Sequence, residues 1–176
     1  MRANAPGGRF ASDFERNSIL EGVNSDLRNS VGTKAEWWFF DLATTNIDPI
    51  YDVGDGFSTI GGGRKWDGPY PMPVVRSVIT VGSANASELG FYVPDKLHIT
   101  LNIEDLKNIY PTLESQIQLL GQQDKDRVVW QGKIYRPTTT QQRGIISELY
   151  TLLAIDLIEV MPEEMVNDPQ FLQYAS

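Results

Sequence analysis

Residues 97–103 constrain the fold most, because apolar and polar side chains alternate strictly along them. Leu97, Ile99 and Leu101 alternate with His98 and Thr100. Successive side chains of a β-strand point to opposite faces, so this period of two predicts a strand with one buried and one polar face. A strand of this kind needs pairing neighbours and a core to cover, which directs the chain towards a β-rich fold.

Further strands are predicted on both sides of this one. The β-branched run 74–81 predicts a strand that stops at Gly82. The dipeptide Gln131-Gly132 lies between two β-type runs and predicts a hairpin, since glycine readily adopts the positive φ of a two-residue turn. Pro137 and the polar run after it predict a loop, and residues 145–160 predict one long strand.

Four consecutive aromatic residues, Trp37, Trp38, Phe39 and Phe40, follow Glu36. On a strand, the first and third would face one side and the second and fourth the other. Large rings on both faces need two apolar walls, which a core and a subunit contact both provide. The block is therefore interpreted as a core strand or as a subunit interface.

The segment 54–73 contains six glycines and three prolines and predicts a long loop. Long loops in small domains are often functional. Gly62 and Gly63 occupy the positions where a phosphate-binding loop needs Lys and Ser or Thr, so that motif fails. The loop is a hinged flap or a static docking element. Its candidate contact residues are Phe57, Arg64, Lys65, Trp66 and Tyr70.

The chain has a net charge of −8, and its acidic residues are concentrated. Residues 35–60 hold five acids, residues 144–176 hold six, and neither stretch has a Lys or Arg. A general nucleic-acid-binding surface is not expected, since phosphate affinity comes mainly from cations. The acids form solvated faces, or surfaces that repel a polyanion or meet a basic partner. Asp48, Asp52 and Asp55 are the candidate acidic wall.

The residue types for catalysis or metal binding are scarce. The chain has no cysteine and one histidine, which excludes thiolate sites and two-histidine metal sites. The nucleophile motif G-x-S-x-G is missing, and the acids around Asp48 lack the spacing of a calcium loop. We expect no catalytic residue, cofactor or metal. A hydrolase or binding module using Asp48, Asp52 and His98 is the minor alternative.

These patterns predict a mainly β chain, a small barrel or sandwich. Residues 1–34 are expected to be an extended N-terminal arm, 35–162 the β domain with the inserted loop 54–73, and 163–176 an acidic tail. Residues 103–110 predict a short helix ended by a proline. An apolar run of the roughly 20 residues that span a bilayer does not occur. We expect a soluble intracellular protein without a membrane partner.

Several segments, in their order and spacing, resemble the head-to-tail stopper or head-closure proteins of long-tailed, siphovirus-type bacteriophages, especially those of actinobacteria. The segments are 36–41, 48–51, 64–66, 71–75, 97–103 and 126–136, then Gly144 and the strand ending at Glu159-Val160-Met161-Pro162. Together they span roughly residues 36–162. The resemblance implies a small β-barrel with a long inserted loop, a short helix and an extended arm, and no enzymatic activity.

The resemblance also implies a place and partners. The protein would form a ring of six or twelve copies in the virion neck, after assembly in the host cytoplasm, and would retain packaged DNA until ejection. Its partners would be other copies of itself, adaptor and portal proteins on the head side, and the tail terminator or tail tube on the tail side. Genomic double-stranded DNA would pass without sequence-specific binding. Another neck protein, an adaptor or a terminator, is the alternative.

Overall fold

A computed structural model describes residues 32–46, 63–82, 93–110, 125–146, 149–165 and 168–174, and residues 22, 26 and 29. Its strands are β1 (Lys34–Phe40), β2 (Trp66–Thr80), β3 (Lys96–Asn102), β4 (Arg127–Trp130), β5 (Lys133–Ile146) and β6 (Leu149–Glu159). Its helices are α1 (Ile103–Ile109), α2 (Pro162–Met165) and a 3-10 helix (Pro169–Tyr174). None of the described helices is long and apolar enough to cross a membrane.

The six strands form a closed barrel in the order β1-β2-β3-β6-β5-β4, and β4 pairs back to β1. Every neighbouring pair is antiparallel. The prediction of a mainly β fold built on a small β-barrel is confirmed.

Apolar side chains fill the barrel interior. The alternation in β3 has the predicted effect: Leu97, Ile99 and Leu101 are 0–1% exposed and point inwards. α1 adds Ile103 and Leu106 to the same core. The remaining members of this inner core are Ala35, Trp37, Phe39, Met72, Val74, Val128, Trp130, Tyr135, Leu153, Ile155 and Leu157. The described apolar side chains therefore occupy the interior of the barrel along its axis.

The predicted short helix and hairpin are confirmed. The side chain of Asn102 accepts a hydrogen bond from the amide of Glu104 (3.1 Å) and so caps the start of α1. In the β4–β5 turn, Gln131 has φ 50° and Gly132 has φ 81°. Both values lie in the left-handed region that a tight hairpin turn uses.

β2 begins inside the segment 54–73, which the sequence predicts to be a loop, so that prediction is wrong for its last residues. The register explains how a strand accommodates the prolines. The amide of Val74 donates to the carbonyl of Thr33 (3.3 Å), and alternate residues of β2 therefore direct their amides to β1. Pro71 and Pro73 lie at the intervening positions, where a backbone amide would point away from β1. Their lack of an N–H group therefore removes no hydrogen bond between the two strands.

Gly68 marks the register shift between β1 and β2. Its φ is 151°, and a Cβ atom there would lie 2.8 Å from the carbonyl oxygen of Trp37 and 3.1 Å from the ring of Trp38. Only a residue without a side chain allows the two strands to approach this closely.

The predicted loop after Pro137 is wrong, because these residues continue β5. Thr139 pairs with Asp156, and Gln141 with Ala154, so β5 hydrogen-bonds along β6. The long strand predicted over 145–160 is likewise divided, since residues 145 and 146 end β5 and β6 begins at residue 149.

The C-terminal residues fold onto the outside of the barrel. We call the described residues of this segment, 161–165 and 168–174, the C-terminal cover. Its Met165 and Phe171 are 4% and 1% exposed and pack with Trp66, Val129 and Ile134 in a second apolar cluster. The prediction of an acidic tail is therefore corrected, since the described residues of this segment belong to the packed domain.

Candidate functional site

The four aromatic residues of β1 alternate between the two faces, as predicted. Trp37 and Phe39 are 0% and 8% exposed inside the barrel. They have no surface to offer another subunit, so the interface prediction is wrong for these two. Trp38 and Phe40 face outwards and are half-buried against the cluster beneath the C-terminal cover.

A buried carboxylate, that of Asp126, holds the aromatic residues of β1 in place. The indole nitrogen of Trp37 donates to Oδ2 of Asp126 (3.2 Å), and the amide of Phe40 donates to Oδ1 (2.9 Å). Asp126 is 5% exposed, so both of its oxygens have a structural role.

Two candidate loop residues lie in the barrel wall. Trp66 is 6% exposed, and its indole nitrogen donates to the carbonyl of Lys125 (2.8 Å). Tyr70 packs edge-on against Phe39 and Tyr110 (centroids 5.6 and 5.4 Å apart). The interpretation of Trp66 and Tyr70 as parts of a mobile channel loop is corrected, because both are strand residues with intramolecular contacts.

The other candidate loop and wall residues have different positions. Lys65 is exposed, and Arg64 lies with one of its guanidinium nitrogens 3.4 Å from Asp168. The candidates that lie outside the described residues are Phe57, Asp48, Asp52 and Asp55. The predicted arm also lies outside them, apart from residues 22, 26, 29, 32 and 33, and from Lys34, which begins β1.

An ion pair fastens the C-terminal cover to the barrel. Nη2 of Arg127 lies 2.9 Å from Oδ2 of Asp168, and the two side chains are 8% and 1% exposed. The guanidinium of Arg127 also lies over the ring of Trp66, 5.4 Å from its centroid. Because a buried charge requires its partner, this pair holds the cover in one position over β1 and β4. No local pattern in the sequence marks this pair, because its partners are 41 residues apart.

The side of the barrel formed by β2, β3, β6 and β5 presents a basic surface. In the strand order, β3 and β6 lie across the barrel from β4 and β1. The outward positions of β3, and their partners on β2, β6 and β5, follow from the register. We define the cationic face as the outward residues Arg76, Lys96, His98, Arg136 and Arg143. Four of its members are cations, and Asp156 is the acid among the outward residues of these pairs.

Sequence reasoning missed the cationic face because its residues come from three separate strands. In sequence they stand singly, between apolar or polar neighbours. Only the pairing of β2 with β3 and of β6 with β5 brings them to one surface. A local signal was available only for Lys96 and His98, which occupy polar steps of the alternation along β3.

A polar cluster lies at the centre of this face. Nδ1 of His98 contacts a carboxylate oxygen of Asp156, and the hydroxyl of Thr139 donates to the other oxygen (2.7 Å). Partial burial raises the pKa of Asp156, but the hydrogen bonds from His98 and Thr139 outweigh it and hold that pKa below 3.8. Nucleophilic catalysis places histidine between the hydroxyl and the carboxylate. Here both groups bind the carboxylate, which suits a brace across β3, β6 and β5.

Apolar side chains are exposed beside the cationic face. Val78, Ile79 and Val81, from the end of β2 and just after it, are 41%, 42% and 78% exposed. Val93, shortly before β3, is 38% exposed. On the C-terminal cover, Leu172 is 50% exposed. Exposed apolar groups beside charges are typical of protein contact surfaces.

The remaining ionic cluster is structural. Nζ of Lys133 lies 2.9 Å from both Asp95 and Glu159, and these hydrogen bonds raise the pKa of the lysine. The cluster ties the β4–β5 hairpin to the residues before β3 and to the end of β6. Within the described ranges, no three His, Asp or Glu side chains are grouped as a metal site.

Comparison of the chain with known protein families, with curated proteins and with solved structures finds no match. The observations that bear on function are therefore the two outer sides of the barrel and the resemblance carried by its strand segments.

Proposed function

We propose that the chain is a structural protein of the bacteriophage neck, of the head-to-tail stopper type. It forms a ring that joins the portal and adaptor complex to the tail and retains the packaged DNA. The observation that carries the proposal is that four of the resembling segments lie largely in strands of a small closed barrel. Residues 36–41 contain most of β1, 71–75 lie in β2, 97–103 contain most of β3, and 126–136 contain the β4–β5 hairpin.

The filled interior supports a role in assembly. Aromatic and aliphatic side chains occupy the inside of the barrel, so each subunit interacts through its outer surfaces. The channel that DNA passes through is then the space enclosed by the ring. The net charge of −8 suits a wall that a polyanion passes without adhering.

The described surfaces also favour assembly over catalysis. The histidine of the chain, His98, is engaged with Asp156 in a brace between strands, and Thr139 binds the same carboxylate. Exposed apolar residues and cations occupy the surroundings of this brace, as expected for a contact surface.

The test is removal of the protein from the phage that encodes it. Without it, we expect heads that lose their DNA and tails that remain detached, as seen by electron microscopy and by nuclease sensitivity of the packaged genome. Wild-type protein supplied in trans should restore DNA-filled, tailed particles. A variant with Leu42, which is 50% exposed, replaced by alanine should restore them equally well and is the control.

Two outcomes would change the proposal. DNA-filled, tailed particles formed without the protein would contradict it. Heads that keep their DNA but carry no tails would indicate a terminator instead of a stopper.

A further inference from the structure

We infer that the cationic face of one copy binds the C-terminal cover of the next copy, so that each subunit uses two different surfaces in the assembly. This inference rests on the proposed ring function and names the two surfaces that build it.

The charges of the chain are separated between these surfaces. The four cations of the cationic face and the carboxylate of Asp156 at its centre give a net charge of +3 with His98 neutral. The whole chain carries −8, so its remaining residues carry −11. A basic surface on so acidic a protein is complementary to the rest of another copy of the same protein.

Most cations of the face are available for a partner. Arg136 lies 3.6 Å from Glu164 of its own chain. In the part of the chain that the structure describes, Arg76, Lys96 and Arg143 contact no carboxylate, and Arg143 instead donates to the side chain of Gln141 (2.8 Å). An acidic surface that binds here would therefore pair with cations that form no ion pair at contact distance among the described residues.

The C-terminal cover has the complementary chemistry. It contains three acids and no Lys or Arg. Asp168 is buried and occupied by Arg127, whereas Glu163 and Glu164 are exposed on α2, where Glu164 lies 3.6 Å from Arg136 of its own chain. Leu172 is 50% exposed on the same segment. The cover thus offers carboxylates together with an apolar side chain.

The apolar residues favour a protein partner over DNA. Val78 and Val81 are 41% and 78% exposed beside the cations, and burying such side chains stabilises protein contacts. The carboxylate of Asp156 lies at the centre of the face and would repel phosphate. A second copy satisfies the cations and the valines together.

The two surfaces are different and occupy different places on the barrel. The cationic face is centred on β3 and β6, and the cover packs against β1, β4 and β5, where it adjoins one edge of the face at Arg136 and Glu164, 3.6 Å apart. Because the contact joins two different surfaces, each copy can bind one neighbour through its face and another through its cover, and a chain of such contacts closes into a ring when the rotation between copies allows it.

The test is charge reversal in the full chain, with the oligomeric state measured by native mass spectrometry and by light scattering at low and high salt. The face is reversed by Arg76→Glu with Lys96→Glu, and the cover by Glu163→Lys with Glu164→Lys. Each reversal alone should raise the dissociation constant at least tenfold and yield monomers. Both reversals in one chain should restore the assembly, because the complementary charges are then exchanged.

The matched control for the face reversal is Lys34→Glu with Lys107→Glu, which makes the same change in net charge at two exposed lysines outside both surfaces. It should assemble like the wild type. All of these positions are exposed, and circular dichroism and melting temperature should show that each variant is folded.

The inference is overturned if either reversed variant assembles like the wild type, or if the wild type remains monomeric at every concentration. It is also overturned if the face reversal leaves the assembly intact but abolishes binding of a DNA duplex measured by fluorescence anisotropy. None of these results depends on the phage experiment. Assembly that survives reversal together with DNA loss in the phage lacking the protein would reject these surfaces and leave the neck function standing.

Discussion

Replacing Phe171 with alanine should detach the C-terminal cover from the barrel. Phe171 is 1% exposed and packs edge-on against Trp38 and Trp66, with centroids 5.4 and 5.0 Å apart. Full burial of a phenylalanine stabilises a protein by about 1.5–3 kcal/mol, and each aromatic pair adds about 0.5–1.5 kcal/mol. The free energy of unfolding should therefore fall by about 3–5 kcal/mol, as for other buried Phe to Ala changes.

The neighbouring residue provides the control. Leu172 is 50% exposed, so Leu172→Ala should lower the free energy of unfolding by no more than about 0.5 kcal/mol. Two adjacent truncations in the same 3-10 helix are thus expected to differ by several kcal/mol because only one of the two side chains is packed.

Urea denaturation followed by tryptophan fluorescence and by circular dichroism measures this difference. Trp38 and Trp66 contact the cover, whereas Trp37 and Trp130 lie in the inner core. In Phe171→Ala, the emission should shift to the red at lower urea than the loss of strand signal, since water reaches only the outer pair. Equal losses below about 1 kcal/mol in both variants, with unchanged emission, would refute the packing of the cover.

Three further changes test the barrel itself. Asp126→Ala removes the acceptor of the buried indole N–H of Trp37, so thermal unfolding should show a loss of about 1–3 kcal/mol, and the isosteric change to Asn should lose less. Gly68→Ala places a Cβ atom 2.8 Å from the carbonyl oxygen of Trp37 and should lower the urea midpoint, by about 1–3 kcal/mol of stability; an unchanged midpoint would show that the strands can separate without cost. The hydrogen bond from the amide of Gly82 has the largest effect on Asp95 and, together with the one from Lys133, holds the pKa of its carboxyl below the ordinary value of 3.8. The ionised form of Asp95 therefore stabilises the fold at pH values above the unfolded pKa. This contribution is lost as the pH falls through the lower folded pKa. The melting temperature should therefore fall from about pH 5 downwards, and Asp95→Asn should flatten that dependence; a parallel pH profile in the variant would reject the assignment.

Local alternation predicted the elements whose faces differ in polarity. Leu97, Ile99 and Leu101 could be assigned to a buried face because each intervening residue is polar. The opposite facing of Trp37 and Trp38 on β1 followed from the same period of two. These features depend on the geometry of a single strand, so the sequence of that strand is sufficient.

Pairing between distant segments accounts for what the sequence did not reveal. Pro71 and Pro73 oppose strand formation locally, and only their register against β1 makes the strand acceptable. Residues 138–142 carry no apolar alternation, yet the neighbouring β6 holds them in β5. Arg127 and Asp168 likewise look like ordinary surface charges until the C-terminal cover folds back.

The connectivity of the barrel has a consequence for the nascent chain. β1 must wait for β4, some ninety positions later, before both of its edges are paired, and β3 must wait for β6. Even then Trp38 and Trp66 remain in water, because the ring that shields them arrives only with Phe171. A chain released before Phe171 therefore contains all six strands of the barrel but leaves these indoles uncovered, and such exposed apolar surface favours aggregation.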